Sequence, residues 1–70
     1  MSAKEQIKIA IIKQNRTLSD VVKALNEKYS RNDTIQNLSG KLSRDTLKYR
    51  EAEEIAEILG ITITWKEDNN

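Results

Sequence analysis

Cysteine, histidine, proline and phenylalanine are all missing from this 70-residue chain, and aromatic residues make up only 4% of it. Without cysteine there is no disulfide, no thiolate nucleophile and no thiolate metal site. Without histidine, the usual zinc sites and nucleophile–base dyads lose their commonest members. The two glycines, Gly40 and Gly60, stand alone and form no phosphate-cradling loop, and so short a chain leaves little room for a deep pocket. No enzymatic activity, cofactor or small-molecule ligand is therefore expected. The longest apolar run, Ile9 to Ile12, is far short of the roughly 20 residues a membrane span needs. Residues 1–6 carry no apolar stretch of the secretory kind. The expectation is a cytoplasmic protein with no membrane partner.

Charged residues make up 33% of the chain and hydrophobic ones 37%, so the core must be built from Ile, Leu, Val and Ala. Seventy residues make one domain near the lower limit of independent stability, here residues 1–70 with a tail from about Ile61. The net charge of +1 is unevenly spread: +2 over residues 1–20, +4 over 21–50 and −5 over 51–70. Such runs often only solvate a helix face. A basic middle beside an acidic end is also how a small domain aims one surface at a polyanion.

Periodicity and capping residues predict four helices. Ser2-x-x-Glu5 is a capping box for a helix over Ala3–Lys13, with Ile7, Ala10 and Ile11 on one stripe. Thr17 caps a second helix over Leu18–Tyr29, striped by Val21, Val22 and Leu25, with Tyr29 as a packing residue. Thr34 caps a third over Ile35–Ser43, where Ile35, Leu38 and Leu42 share a face. At 100° per residue the opposite face carries Gln36, Asn37, Gly40, Ser43 and Arg44, with Lys41 at its edge. A fourth helix over Tyr49–Leu59 buries Ala52, Ile55, Ala56 and Leu59, with Leu47 packing just before it. Its Glu51, Glu53, Glu54 and Glu57 read as a solvated outer side, and Gly60 as its left-handed terminator. The predicted core unites Ile7, Ile11, Val21, Val22, Leu25, Leu38, Leu42, Ile55, Ala56 and Leu59.

After Gly60, the segment Ile61-Thr62-Ile63-Thr64-Trp65 alternates strictly, as a strand does. A lone strand needs a partner. Either it pairs with a second copy, making Ile61, Ile63 and Trp65 dimer contacts, or it lies as an extended arm over the helices.

Three segments, Thr17–Leu25, Thr34–Leu42 and Leu47–Ile61, stand in an order that resembles the phage-repressor-like (Cro/repressor, XRE type) helix-turn-helix family. Thr34-Ile35-Gln36-Asn37-Leu38-Ser39-Gly40-Lys41-Leu42 is similar to that family's recognition helix. Glu54-Ile55-Ala56-Glu57-Ile58-Leu59-Gly60-Ile61 is similar to its closing helix. The stretch Asn26–Asp33 is longer than the family's usual glycine turn. The resemblance implies an all-α, lambda-repressor-like bundle of four helices with a short C-terminal strand or arm. It also implies a small sequence-specific regulator that binds double-stranded DNA with residues 35–43 in the major groove. Gln36 and Asn37 would then meet base edges, Gly40 would permit close approach, and Thr34, Lys41 and Arg44 would meet phosphates. Lys28 and Arg31 are further phosphate candidates, and Ile35 belongs either to the core or against a thymine methyl.

A second class stays open beside this one: a protein-interaction module on the same fold, without DNA binding. Charge placement discriminates, since a DNA binder should gather cations around the third helix.

Overall fold

Hydroxyls open three of the four helices. In the computed structural model, which describes residues 1–65, Ser2 starts α1 (Ala3–Lys13) and accepts from the Glu5 amide, while Glu5 accepts from the Ser2 amide. Thr17 and Asp20 close the same reciprocal box at α2 (Leu18–Tyr29). Thr34 caps α3 (Ile35–Arg44) through the Asn37 amide, 3.1 Å away. At α4 (Tyr49–Leu59) the Glu51 carboxylate reaches back to the Lys48 amide.

The helix ends recur every fifteen residues, at Asn15, Ser30, Asp45 and Gly60, each in the left-handed region. Behind each one, the next amide returns to a carbonyl five residues earlier: Arg16 to Ile11, Arg31 to Asn26, Thr46 to Lys41 and Ile61 to Ala56. Three of these positions lack glycine. Asn and Asp tolerate the conformation because their short polar side chains bond locally.

Helices α1 and α2 both pack on α4, and α3 packs on α2. Their shared core contains Ile7, Ala10, Val21, Val22, Leu25, Leu38, Leu42, Ala52, Ile55, Ala56 and Leu59. Ile11 lies at its margin, only partly buried. Ile35 departs further from the helical-face expectation. It is 43% exposed, in the first turn of α3, where it lines the rim of a shallow groove against α2 instead of entering the core.

The described residues contain no strand, and the tail takes the arm alternative. Ile63 turns inward and is 4% exposed, within the chain's own core. Ile61 packs against the same core, and Trp65 lies over Tyr49 at 4.9 Å between ring centroids. The partner that a lone extended segment needs is a side chain: Gln6 accepts from the Thr64 amide at 2.8 Å and donates to its carbonyl at 3.0 Å. Residues 66–70, assigned to the domain from the sequence, lie outside the described residues.

Asn26 does the same for the segment entering α3. Its carboxamide accepts from the Asp33 amide at 2.8 Å and donates to the Asp33 carbonyl at 3.0 Å. The stretch beyond Leu25 is therefore a further turn of α2 plus a pinned connection, not an open loop. Asn26→Ala leaves a part-buried amide and carbonyl without partners and is expected to cost about 1–3 kcal/mol. Hydrogen exchange should show faster opening at Asp33 and through the first turn of α3. Unchanged exchange there would show that the connection is held by something else.

Candidate nucleic-acid interface

α3 presents the face anticipated from its spacing. Leu38 and Leu42 point into the core, leaving Gln36, Asn37, Ser43 and Arg44 exposed and Gly40 and Lys41 half-buried; Ser39, off that face by spacing, is exposed as well. α1, α2 and α4 each carry an acidic residue in the first turn, whereas α3 has none there and no carboxylate anywhere along its length. Thr34 is committed to capping, but a hydroxyl that accepts from an amide still has its own proton to donate. Arg44 folds back one turn over Gly40, with its guanidinium nitrogens 3.1 Å from where a Cβ on Gly40 would stand. No carboxylate pairs with Arg44 among the described residues.

The other cations proposed as phosphate contacts are engaged. Lys41 is held by Glu51, whose second oxygen caps α4 through the Lys48 amide at 3.0 Å. Arg31 bonds Glu54 at 2.9 Å and approaches Asp33 at 3.5 Å. Lys28 pairs with Glu57 at 3.2 Å. Tyr29 sits within this row, its hydroxyl donating to Glu57 at 3.0 Å and its ring 5.0 Å from the Arg31 guanidinium.

The acidic side of α4 is thus not simply solvated, as its composition suggested. Glu51, Glu54 and Glu57 recur every third residue and meet one cation each from α3, the α2–α3 connection and α2. Glu53 accepts from the Trp65 indole at 2.6 Å. The pattern was visible in the sequence as spacing, but the partners lie 10 to 29 residues away and no local rule connects them.

Burial alone would push the Glu51 carboxyl up. The hydrogen bonds from Lys41 and the Lys48 amide, with the charge of Lys41, outweigh it and hold the group below its ordinary value. Hydrogen bonds from Lys28 and Tyr29, with the charge of Lys28, lower Glu57 likewise. A carboxyl whose pKa is lower in the folded state gives stability that is complete above its unfolded pKa. That contribution is lost as the pH falls through the folded value. The urea midpoint should therefore hold from neutrality to about pH 5 and fall below about pH 4.5, less steeply in Glu51→Gln. A midpoint that rises on acidification would contradict these pairs.

One cation was passed over in the sequence. Lys23 on α2 is exposed and lines a shallow groove with Ser19, Thr34 and Ile35, where α2 meets the start of α3. Its only signal was its place in the basic middle segment. Among the described residues, no group of three or more acidic, histidine or cysteine side chains could hold a metal ion, and no helix is long and apolar enough to cross a membrane. No protein-family model, curated protein or solved structure matches this chain.

Proposed function

We propose that this chain is a small sequence-specific DNA-binding regulator of the repressor type, without enzymatic chemistry. In this reading α3 lies in the major groove of double-stranded DNA. The observation that carries it is the exposed, carboxylate-free face of α3 with Arg44, unpaired among the described residues, at its end. Gln36 and Asn37 each offer a donor and an acceptor to base edges, and Ile35 offers an apolar contact to a thymine methyl. Gly40 and Ser43 keep the middle of the face low, so the backbone can approach closely. Arg44, Thr34 and Lys23 meet phosphates on either side.

Fluorescence anisotropy with labelled duplexes at two salt concentrations tests this. Affinity should fall as salt rises, and Arg44→Ala should weaken binding to all duplexes alike while lowering the salt slope by about one. Replacing Gln36 or Asn37 with Ala should instead relax preference at one base pair, worth roughly 1–3 kcal/mol.

The interaction-module reading draws on a separate feature. Ile12 on α1 is 76% exposed, and Ile9 lies beside it on the same outward side. That reading takes over if no duplex binds with salt-dependent affinity.

A further inference from the structure

Lys41 and Arg31, which line one groove with Asn37, are neutralised from within, and so is Lys28 farther along α4. Lys41, Arg31 and Lys28 are each paired with a glutamate of α4, and the three pairs follow one another along that helix. Surface ion pairs are weak enough to exchange; Lys28–Glu57 is open to solvent, while Lys41–Glu51 and Arg31–Glu54 are half-buried at the surface. A phosphate arriving at these cations therefore meets a carboxylate already in place.

We propose that Glu51, Glu54 and Glu57 act as an internal competitor for DNA phosphate, each exchanging its cation to the DNA on binding and so holding down sequence-independent affinity. This rests on the DNA-binding reading above. The consequence follows from counterion accounting. A free cation that neutralises a phosphate releases a condensed counterion from the DNA. A cation taken from a carboxylate leaves that negative charge standing beside the phosphates, so the surface facing the DNA gains no net positive charge from the exchange. The exchange therefore contributes little to the salt slope and little to affinity for an arbitrary duplex. Base contacts by Gln36 and Asn37 are unaffected, so binding to every duplex is weakened alike and only a site that adds those contacts is held tightly.

Glutamine substitutions separate this from folding effects. Glu51→Gln keeps the oxygen that caps α4 through the Lys48 amide, and glutamine serves that capping position as well as glutamate does. Glu5→Gln on α1 matches the change of one in net charge made by Glu51→Gln without releasing any cation that flanks α3. Comparison with the triple variant is made after the three unit steps are measured singly. The measurement is anisotropy with a random-sequence duplex across a salt series, with circular dichroism confirming that each variant is folded.

Glu51→Gln should tighten binding several-fold and steepen the salt slope by up to about one. The triple variant Glu51→Gln, Glu54→Gln, Glu57→Gln should gain about tenfold or more, while Glu5→Gln changes little. If the folded glutamine variants bind no better than Glu5→Gln, while Arg44→Ala still weakens binding, the pairs stay closed on DNA. The competitor is then disproved and the DNA reading stands. If neither the parent nor any glutamine variant binds duplex, both fail together.

Discussion

Ile55→Ala is expected to leave the chain largely unfolded at room temperature. Ile55 is 1% exposed on α4, the helix against which both α1 and α2 pack. Removing three carbons there loses their transfer free energy and leaves a cavity that helices on two sides cannot both close. Such truncations cost about 2–5 kcal/mol. A domain of this size seldom has more than about 3–5 kcal/mol in reserve. Ile12→Ala is the control: its side chain stands in solvent, and its substitution should change stability by less than about 0.5 kcal/mol. Urea titrations followed by circular dichroism distinguish the two. Equal midpoints for Ile55→Ala and the parent would show that α4 is not the centre of the fold.

The largest functional effect is expected from Gly40→Glu. Gly40 lies at the middle of the outward face of α3, on the side opposite Leu38 and Leu42. A Cβ there would meet only the end of the Arg44 side chain, which is flexible and can swing away. Glutamate is also a better helix former than glycine, so the fold should be retained or strengthened. The new carboxylate stands one turn before Arg44, where it can pair with that cation. It neutralises the free positive charge of the face and sets a negative charge against the phosphates. Duplex affinity should drop on the order of 100-fold or more, since opposing like charges across an interface costs several kcal/mol. Gly40→Ala separates the charge from the bulk: it should stabilise the helix by about 0.8–1 kcal/mol and weaken binding far less. Unchanged affinity in a folded Gly40→Glu variant would place any DNA contact elsewhere.

Local chemistry made the helices legible. Ser2, Thr17 and Thr34 announce helix starts because a side-chain oxygen must satisfy the first free amides, and all three do so here. The apolar stripes gave the core because each helix has one side to bury, and only Ile35 and Ile11, at the edges of their stripes, fell short of it. Gly60 terminates α4 as its flexibility allows. The tail was ambiguous for a physical reason. Alternation marks an extended chain but says nothing of what lies beside it, and the group that pairs with Thr64 is a glutamine 58 residues away.

The face of α3 was equally legible, since a helix 10 residues long needs only its two buried leucines to fix which side is outward. Which cations on and around it are free was not. Lys41, Arg31 and Lys28 look alike in sequence, and only the packing of α4 alongside them brings glutamates within reach. Arg44 stays unpaired among the described residues because it projects from the last turn of α3, where it lies over Gly40. Asn26 carried no signal at all. An amide on a helix looks like any soluble residue until the chain it pins is folded back beside it.

The central claim, that α3 is the surface that takes DNA, is tested most directly by following backbone amide resonances while a duplex is titrated in. The account predicts shifts concentrated in Thr34 to Arg44, with Lys23 beside them, that shrink as salt is raised. It also predicts that the outward face of α1, around Ile9 and Ile12, stays unmoved. Shifts that bypass Thr34 to Arg44, or that gather on α1, would contradict it.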